Sequence, residues 1–149
     1  MQQAMAQIKE ILLSQKCVAI VSHNNPDGDT LGSQLALAGA LSARKIETVL
    51  INNDAISEKY NFVAGCERIQ PYQETMQLPE VVVFVDCASL ELAGCDQNTP
   101  FLQNKTIINI DHHTSNKRYG TVNYVRGEAA ANCQNIYDVV RALGVEVTP

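Results

Sequence analysis

The chain has 149 residues, 46% of them hydrophobic and 18% charged, with a formal net charge of −5. These figures suit one globular domain with a real core and exclude a disordered chain. The negative balance and the lack of a polybasic block argue against long duplex DNA as a partner, and no apolar run is long enough to span a membrane.

In chain order, "AMAQIKEILLSQ" at 4–15 spaces Met5, Ile8, Ile11 and Leu12 as one face of a helix. "CVAIVS" at 17–22 is apolar and β-branched and reads as a strand. A Pro-Asp-Gly-Asp turn follows. "LGSQLALAGALSA" at 31–43 repeats apolar groups at Leu31, Leu35, Ala38 and Leu41, a second helix capped by Asp29 or Thr30. "IETVLIN" at 46–52 is a strand, "EKYNFVAG" at 58–65 a short helix closed by Gly65, and "RIQPY" a weak strand or loop. "EVVVFVD" at 80–86 is apolar on both faces, as in a central parallel strand, and "TIINID" at 106–111 is another strand. "AAANCQNIYDVVRAL" at 129–143 reads as a last helix, ended by Gly144. Alternating strands and helices predict an α/β fold, a parallel β-sheet flanked by helices on both faces.

Cys17, Cys66, Cys87, Cys95 and Cys133 form an odd set without a C-x-x-C pair. They are expected to be reduced thiols, packed as small apolar groups in a cytoplasmic protein. The first ten residues lack the basic start and apolar core of a signal peptide.

The chemistry gathers where strands end. The strand at 17–22 runs into His23, Asp27 and Asp29, the strand at 80–86 ends in Asp86, and the strand at 106–111 leads into Asp111, His112 and His113. A parallel sheet brings all these ends to its carboxyl edge, where such folds bind ligands. Crowded carboxylates repel, and the repulsion is relieved by protonation or by divalent cations between them. Carboxylate and imidazole donors suit Mn²⁺, Mg²⁺ or Fe²⁺ better than structural zinc. The donors exceed the needs of one ion, and Asp86 is placed to bridge two. Gly28 is expected to clear space in the crowded turn, and Gly32 and Ser33 to offer first-turn N–H groups to a phosphate. Adjacent side chains on an extended chain point apart, so His112 is taken as the ligand and His113 as a phosphate donor, with Asp111 orienting a histidine. Lys117 and Arg118 are read as solvated loop charges whose place permits phosphate contact. Each signal is common by itself; three strand ends carrying the same chemistry are not.

"SHNNPDGDTLGS" at 22–33, "VDCAS" at 85–89 and "DHHTSN" at 111–116 resemble, in order and spacing, the motifs of the DHH phosphoesterase superfamily. The first is similar to the branch of nanoRNases and 3′-phosphoadenosine 5′-phosphate (pAp) phosphatases, and to cyclic-dinucleotide phosphodiesterases built on the same domain. The resemblance covers nearly the whole chain and implies a Rossmann-like DHH domain. It also implies two-metal hydrolysis of phosphoesters with two Mn²⁺ ions. His23 and Asp27 would hold the first ion, Asp29 and His112 the second, Asp86 would bridge them, and His113 would contact the phosphate. Substrates would be short RNA or nucleotide phosphates; a homodimer is left open. The family's fourth motif, with a further metal-binding Asp, is expected shortly after a segment like "LGVEVTP" at 143–149, and a basic, glycine-rich domain for the nucleotide end after that. The expectation is therefore a DHH catalytic domain over 1–149 lacking both, and weak or no activity for these residues alone. Asp138 lies within the last helix and is not taken as a substitute ligand. The alternatives are an inorganic pyrophosphatase-like hydrolase and a non-catalytic nucleotide-binding module. A dinucleotide-binding dehydrogenase is disfavoured, because no G-x-G-x-x-G follows the first strand.

Overall fold

The computed structural model describes residues 1–147; Thr148 and Pro149, the end of the "LGVEVTP" segment, lie outside the described residues. Its six strands are β1 (Cys17–Ser22), β2 (Glu47–Ile51), β3 (Ile69–Gln70), β4 (Val81–Val85), β5 (Thr106–Asp111) and β6 (Val122–Val125). They form one sheet in the order β3-β2-β1-β4-β5-β6, with every neighbouring pair parallel. The order reverses between β1 and β4. Connections leaving these two strands run to opposite sides, which opens a crevice at their carboxyl ends.

Helices cover both faces, by different means. On one face lie α1 (Gln2–Leu13), α2 (Gly28–Ala43) and α3 (Asn132–Ala142). Ile8, Leu37, Leu41, Ile136 and Val139 pack there with Val18, Ile20, Val83, Val85, Ile108 and Ile110 of the sheet. The opposite face, with Ala19, Val21, Val82 and Phe84, lies under Leu90, Phe101 and Leu102 from two 3₁₀ turns, Leu90–Ala93 and Pro100–Leu102. Strand side chains alternate between faces, so "VVVFV" supplies both cores and is buried throughout. Each fully buried Ile or Leu contributes roughly 1.5–3 kcal/mol, which is why the sheet centre is the rigid base for the site. Among the described residues no helix is long and apolar enough to cross a membrane.

Several boundaries differ from expectation for physical reasons. α2 begins at Gly28 rather than 31, because Asp27, and neither Asp29 nor Thr30, is its N-cap: extended at φ −103° and ψ −169°, it accepts the N–H groups of Asp29 and Thr30. α3 begins at Asn132 rather than 129, although alanines precede it; Asp29 of α2 caps it from outside. The short helix expected over 58–65 is one 3₁₀ turn, Glu58–Tyr60, and left-handed Gly65 (φ 96°) leads into a second, Cys66–Arg68. The sixth strand is short, contains Asn123, a poor strand former, and is held by pairing with β5. Gly144, at φ 72°, ends α3 as expected. Cys66, Cys87 and Cys95 are buried, while Cys17 and Cys133 are partly exposed.

Candidate metal centre

His23 leaves β1 at the switch point. Its Nδ1 lies 2.6 Å from the Asn24 carbonyl, which can only accept, so that nitrogen carries a proton. The other nitrogen, Nε2, therefore faces the crevice, 2.7 Å from the Thr30 hydroxyl and 3.6 Å from Asp86 Oδ2. Asn52 holds this corner by donating to the Ser22 hydroxyl and the His23 carbonyl at 2.8 and 2.7 Å. The Asp86 carboxylate raises the His23 pKa; burial opposes the shift, and the Asn24 carbonyl adds to it. For Asp27 burial pushes the pKa up, but the backbone N–H and hydroxyl of Thr30, with the Asp29 N–H, outweigh it, and the net shift is downward.

Asp86 stands immediately beyond β4 with 2% exposure and a positive φ of 53°. Such a backbone is costly for a residue with a side chain, and it turns the carboxylate into the crevice. Oδ2 accepts from Thr30 at 2.8 Å. Oδ1 is buried without a hydrogen-bond partner, 3.5 Å from His112 Nε2 and 3.8 Å from His113 Nδ1.

β5 supplies the other wall. Asp111 is fully buried; one carboxylate oxygen accepts from His113 Nδ1 at 2.8 Å and the other from Asn116 at 2.6 Å. His112 Nδ1 lies 3.2 Å from the Ala129 carbonyl, which leaves Nε2 toward Asp29 and Asp86. The two imidazoles do not diverge as an extended chain would require. The strand ends at Asp111 and the chain turns, setting the rings 4.5 Å apart. What distinguishes the two rings is their hydrogen bonds: His112 Nδ1 meets the Ala129 carbonyl and His113 Nδ1 meets Asp111. His113 is tied to Asp111 and keeps 43% of its side chain exposed.

Asp27 and Asp29 face different partners. Asp27 sits with His23 and Asp86, whereas Asp29 Oδ2 is 3.6 Å from His112 Nε2. Gly28 is not forced by crowding: a Cβ there would meet only Tyr60, at 3.9 Å. Gly32 and Ser33 lie beyond the first turn of α2, so their N–H groups belong to the helix and are not free for an anion. A Cβ on Gly32 would stand 2.9 Å from Cys133 Sγ, and Ser33 is fully buried; both serve the contact of α2 with α3. Lys117 pairs with Glu91 on the surface at 3.2 Å, and Asp138 pairs with Arg126 and Tyr124 away from the crevice.

Thr30, Asn116, Asn132 and Asn135 complete the site and carry no metal-ligand signature in sequence. Thr30 and Asn116 lie inside the motifs. Asn132 and Asn135 share one helix face with buried Ile136 and Val139, and that polar pair in an apolar stripe is the signal available. Asn135 donates to the Asp111 carbonyl at 2.9 Å. The Asn132 amide is best satisfied with its oxygen accepting from the Asp86 N–H at 3.0 Å and the Ser33 hydroxyl at 3.1 Å.

Two donor sets result, His23–Asp27–Asp86 and Asp86–His112–His113, each with ligand atoms within 4.8 Å of one another. An acidic cluster alone is unremarkable. Here a buried carboxylate oxygen without a hydrogen bond faces imidazole nitrogens, and divalent cations fit that arrangement. Burial, with Asp29 beside it, pushes the nearby Cys133 thiol up to about 11, and among the described residues both donor sets consist of nitrogen and oxygen ligands.

Residues 17–148 match the DHH family, N-terminal domain. Over 132 residues, 88% of this chain, the sequence is 30% identical to the bifunctional oligoribonuclease and PAP phosphatase NrnA of Thermus thermophilus, of which the match covers 38%. The crystal structure of an exopolyphosphatase-related protein from Bacteroides fragilis superposes with a TM-score of 0.85 at 20% identity, over 97% of this chain and 44% of that one; this likeness is one of fold. The chain spans less than half the length of either.

Proposed function

The chain belongs to the DHH family, and from that premise we propose that it carries the catalytic centre of a metal-dependent phosphoesterase acting on short oligoribonucleotides or nucleotide phosphates such as pAp. The observation that carries the reading is Asp86. One buried carboxylate faces His23 and Thr30 with one oxygen, and His112 and His113 with the other.

In this reading His23, Asp27 and Asp86 hold one cation, and Asp29, Asp86 and His112 hold the second. Mn²⁺ is the proposed metal. When bound, the cations supply the positive charge that makes a water acidic enough to attack phosphorus and that draws in the phosphoryl oxygens. The water's oxygen would form the new P–O bond as the ester P–O bond breaks, and the proton that the water gives up balances the one that the leaving oxygen takes. His113 is held by Asp111 through Nδ1 and, with 43% of its side chain exposed, would contact a phosphate oxygen as a donor. Asp111 is held in turn by Asn116, so the ring need not reorganise as charge develops on phosphorus.

Mn²⁺-dependent release of mononucleotides from a short RNA dinucleotide, run beside pAp and inorganic pyrophosphate, tests the proposal. Hydrolysis of the nucleotide substrates above pyrophosphate supports it. A preference for pyrophosphate would transfer the chain to the pyrophosphatase-like alternative. No hydrolysis together with no Mn²⁺ binding would leave the non-catalytic module.

A further inference from the structure

Thr30 is fully buried in the first turn of α2, and its hydroxyl is where three site residues meet. Oγ1 lies 2.7 Å from His23 Nε2, 3.0 Å from Asp27 Oδ1 and 2.8 Å from Asp86 Oδ2. These partners are the three members of one donor set. A hydroxyl has a single proton to give. Two carboxylate oxygens stand within reach of it, so at any instant one close oxygen–oxygen contact has no proton of its own. The other side of Asp86 is different. Oδ1 meets His112 and His113 at 3.5 and 3.8 Å, with no hydroxyl between them.

We propose that the Thr30 hydroxyl is an internal stand-in for one cation. It holds His23, Asp27 and Asp86 together in the metal-free protein and competes with the cation for the same nitrogen and oxygens. The inference rests on the reading that these residues bind cations. It makes the two positions unequal. The ion on the Oδ1 side displaces no such hydroxyl and binds first. The ion on the Oδ2 side must break the hydroxyl's hydrogen bonds and binds second, more weakly. Thr30 is in this sense a positioning residue that sets cation affinity through its neighbours.

Calorimetric titration of Mn²⁺ into the chelator-treated wild type, Thr30→Val and Thr30→Ser, with thermal melts of each before and after metal, decides the matter. The wild type should show a tighter and a weaker event. Thr30→Val keeps the shape and removes the hydroxyl, so the weaker event should tighten by about tenfold, as expected when a competing hydrogen bond to charged groups is lost, while the tighter event stays. Thr30→Ser restores the hydroxyl and should titrate like the wild type. Metal-free Thr30→Val should melt below the wild type, and saturating Mn²⁺ should close the gap. An unchanged weaker event in Thr30→Val would overturn the inference. So would a weakened one, which would make the hydroxyl a ligand, or a Thr30→Ser protein that follows Thr30→Val. If Thr30→Val does not fold, His112→Gln must abolish the tighter event and His23→Gln the weaker; the reverse assignment overturns the order of filling. Absence of any Mn²⁺ binding by the wild type would instead remove the metal reading itself.

Discussion

Asp29, in the first turn of α2, caps α3: its Oδ2 and Oδ1 accept the backbone N–H groups of Asn132 and Cys133 at 2.7 and 2.8 Å. The N-cap residue of α3 itself, Ala131, has no side chain that can do so. The same carboxylate lies 3.6 Å from His112. One side chain therefore joins the packing of two helices to the site. Asp29→Ala is predicted to lose about 1 kcal/mol of stability as a missing cap, and in addition to lose the cation on the His112 side. Chemical denaturation in chelator measures the first effect and metal content the second. A variant with unchanged stability in chelator would show that the cap is dispensable.

Asp86→Ala is predicted to lose both ions and keep the fold. The carboxylate meets Thr30 and the three histidines, and Asp86 lies outside the β4 core. Circular dichroism should match the wild type while metal content falls to background. Asp86→Gly should also lose the ions but be the more stable of the two variants, by about 1 kcal/mol, because glycine adopts the positive φ of this position freely. Retention of one full equivalent of Mn²⁺ by Asp86→Ala would contradict the bridging role.

His113→Ala is predicted to keep the metals and lose rate, by roughly 10²–10³-fold, as for other donors to developing charge on an oxyanion. Asp111→Asn should move in the same direction, since it removes the charge that orients the ring at 2.8 Å. Single-turnover hydrolysis of a dinucleotide is the measurement. Loss of metal in His113→Ala would mean that the two histidine roles are exchanged.

A pH dependence follows from His23. The ring's pKa is raised above 6.5, first by the Asp86 carboxylate and then by the Asn24 carbonyl, against burial. Its protonated form therefore stabilises the metal-free protein fully below pH 6.5, and that stability is lost as pH rises through the folded-state value. Cation binding needs the neutral ring, so Mn²⁺ affinity should grow over the same range. Melting temperature in chelator should fall from pH 6 upward while the shift produced by Mn²⁺ increases. His23→Gln should flatten the decline in chelator; a wild-type curve already flat there would contradict the account.

Much of this was legible in the sequence, and the limits have physical causes. "VVVFV" could be read as a central strand because both of its faces are apolar, and β4 is buried on both. His23, Asp27, Asp29, Asp86 and His112 could be grouped because parallel strands deliver their carboxyl ends to one edge. The strand order that makes β1 and β4 neighbours depends on long-range pairing, which local pattern does not encode. The start of α2 depends on whether Asp27 or a later residue caps it, a choice made by turn geometry. Thr30 reads as a cap candidate in sequence; only the approach of β4 turns its hydroxyl into a partner of Asp86. Asn132 and Asn135 stand out in sequence only as a polar pair in the apolar stripe of α3; their partners appear when α3 packs on α2 and β5. The pairing of the His112 and His113 rings comes from a chain reversal that no periodicity announces.

The central claim is that Asp86 joins two divalent cations. Electron paramagnetic resonance of the protein loaded with Mn²⁺ tests it most directly, because two Mn²⁺ ions bridged by one carboxylate are magnetically coupled. The account predicts two ions per chain and a coupled-pair spectrum that vanishes in Asp86→Ala. An uncoupled, single-ion spectrum at saturation, or one that survives that substitution, would contradict it.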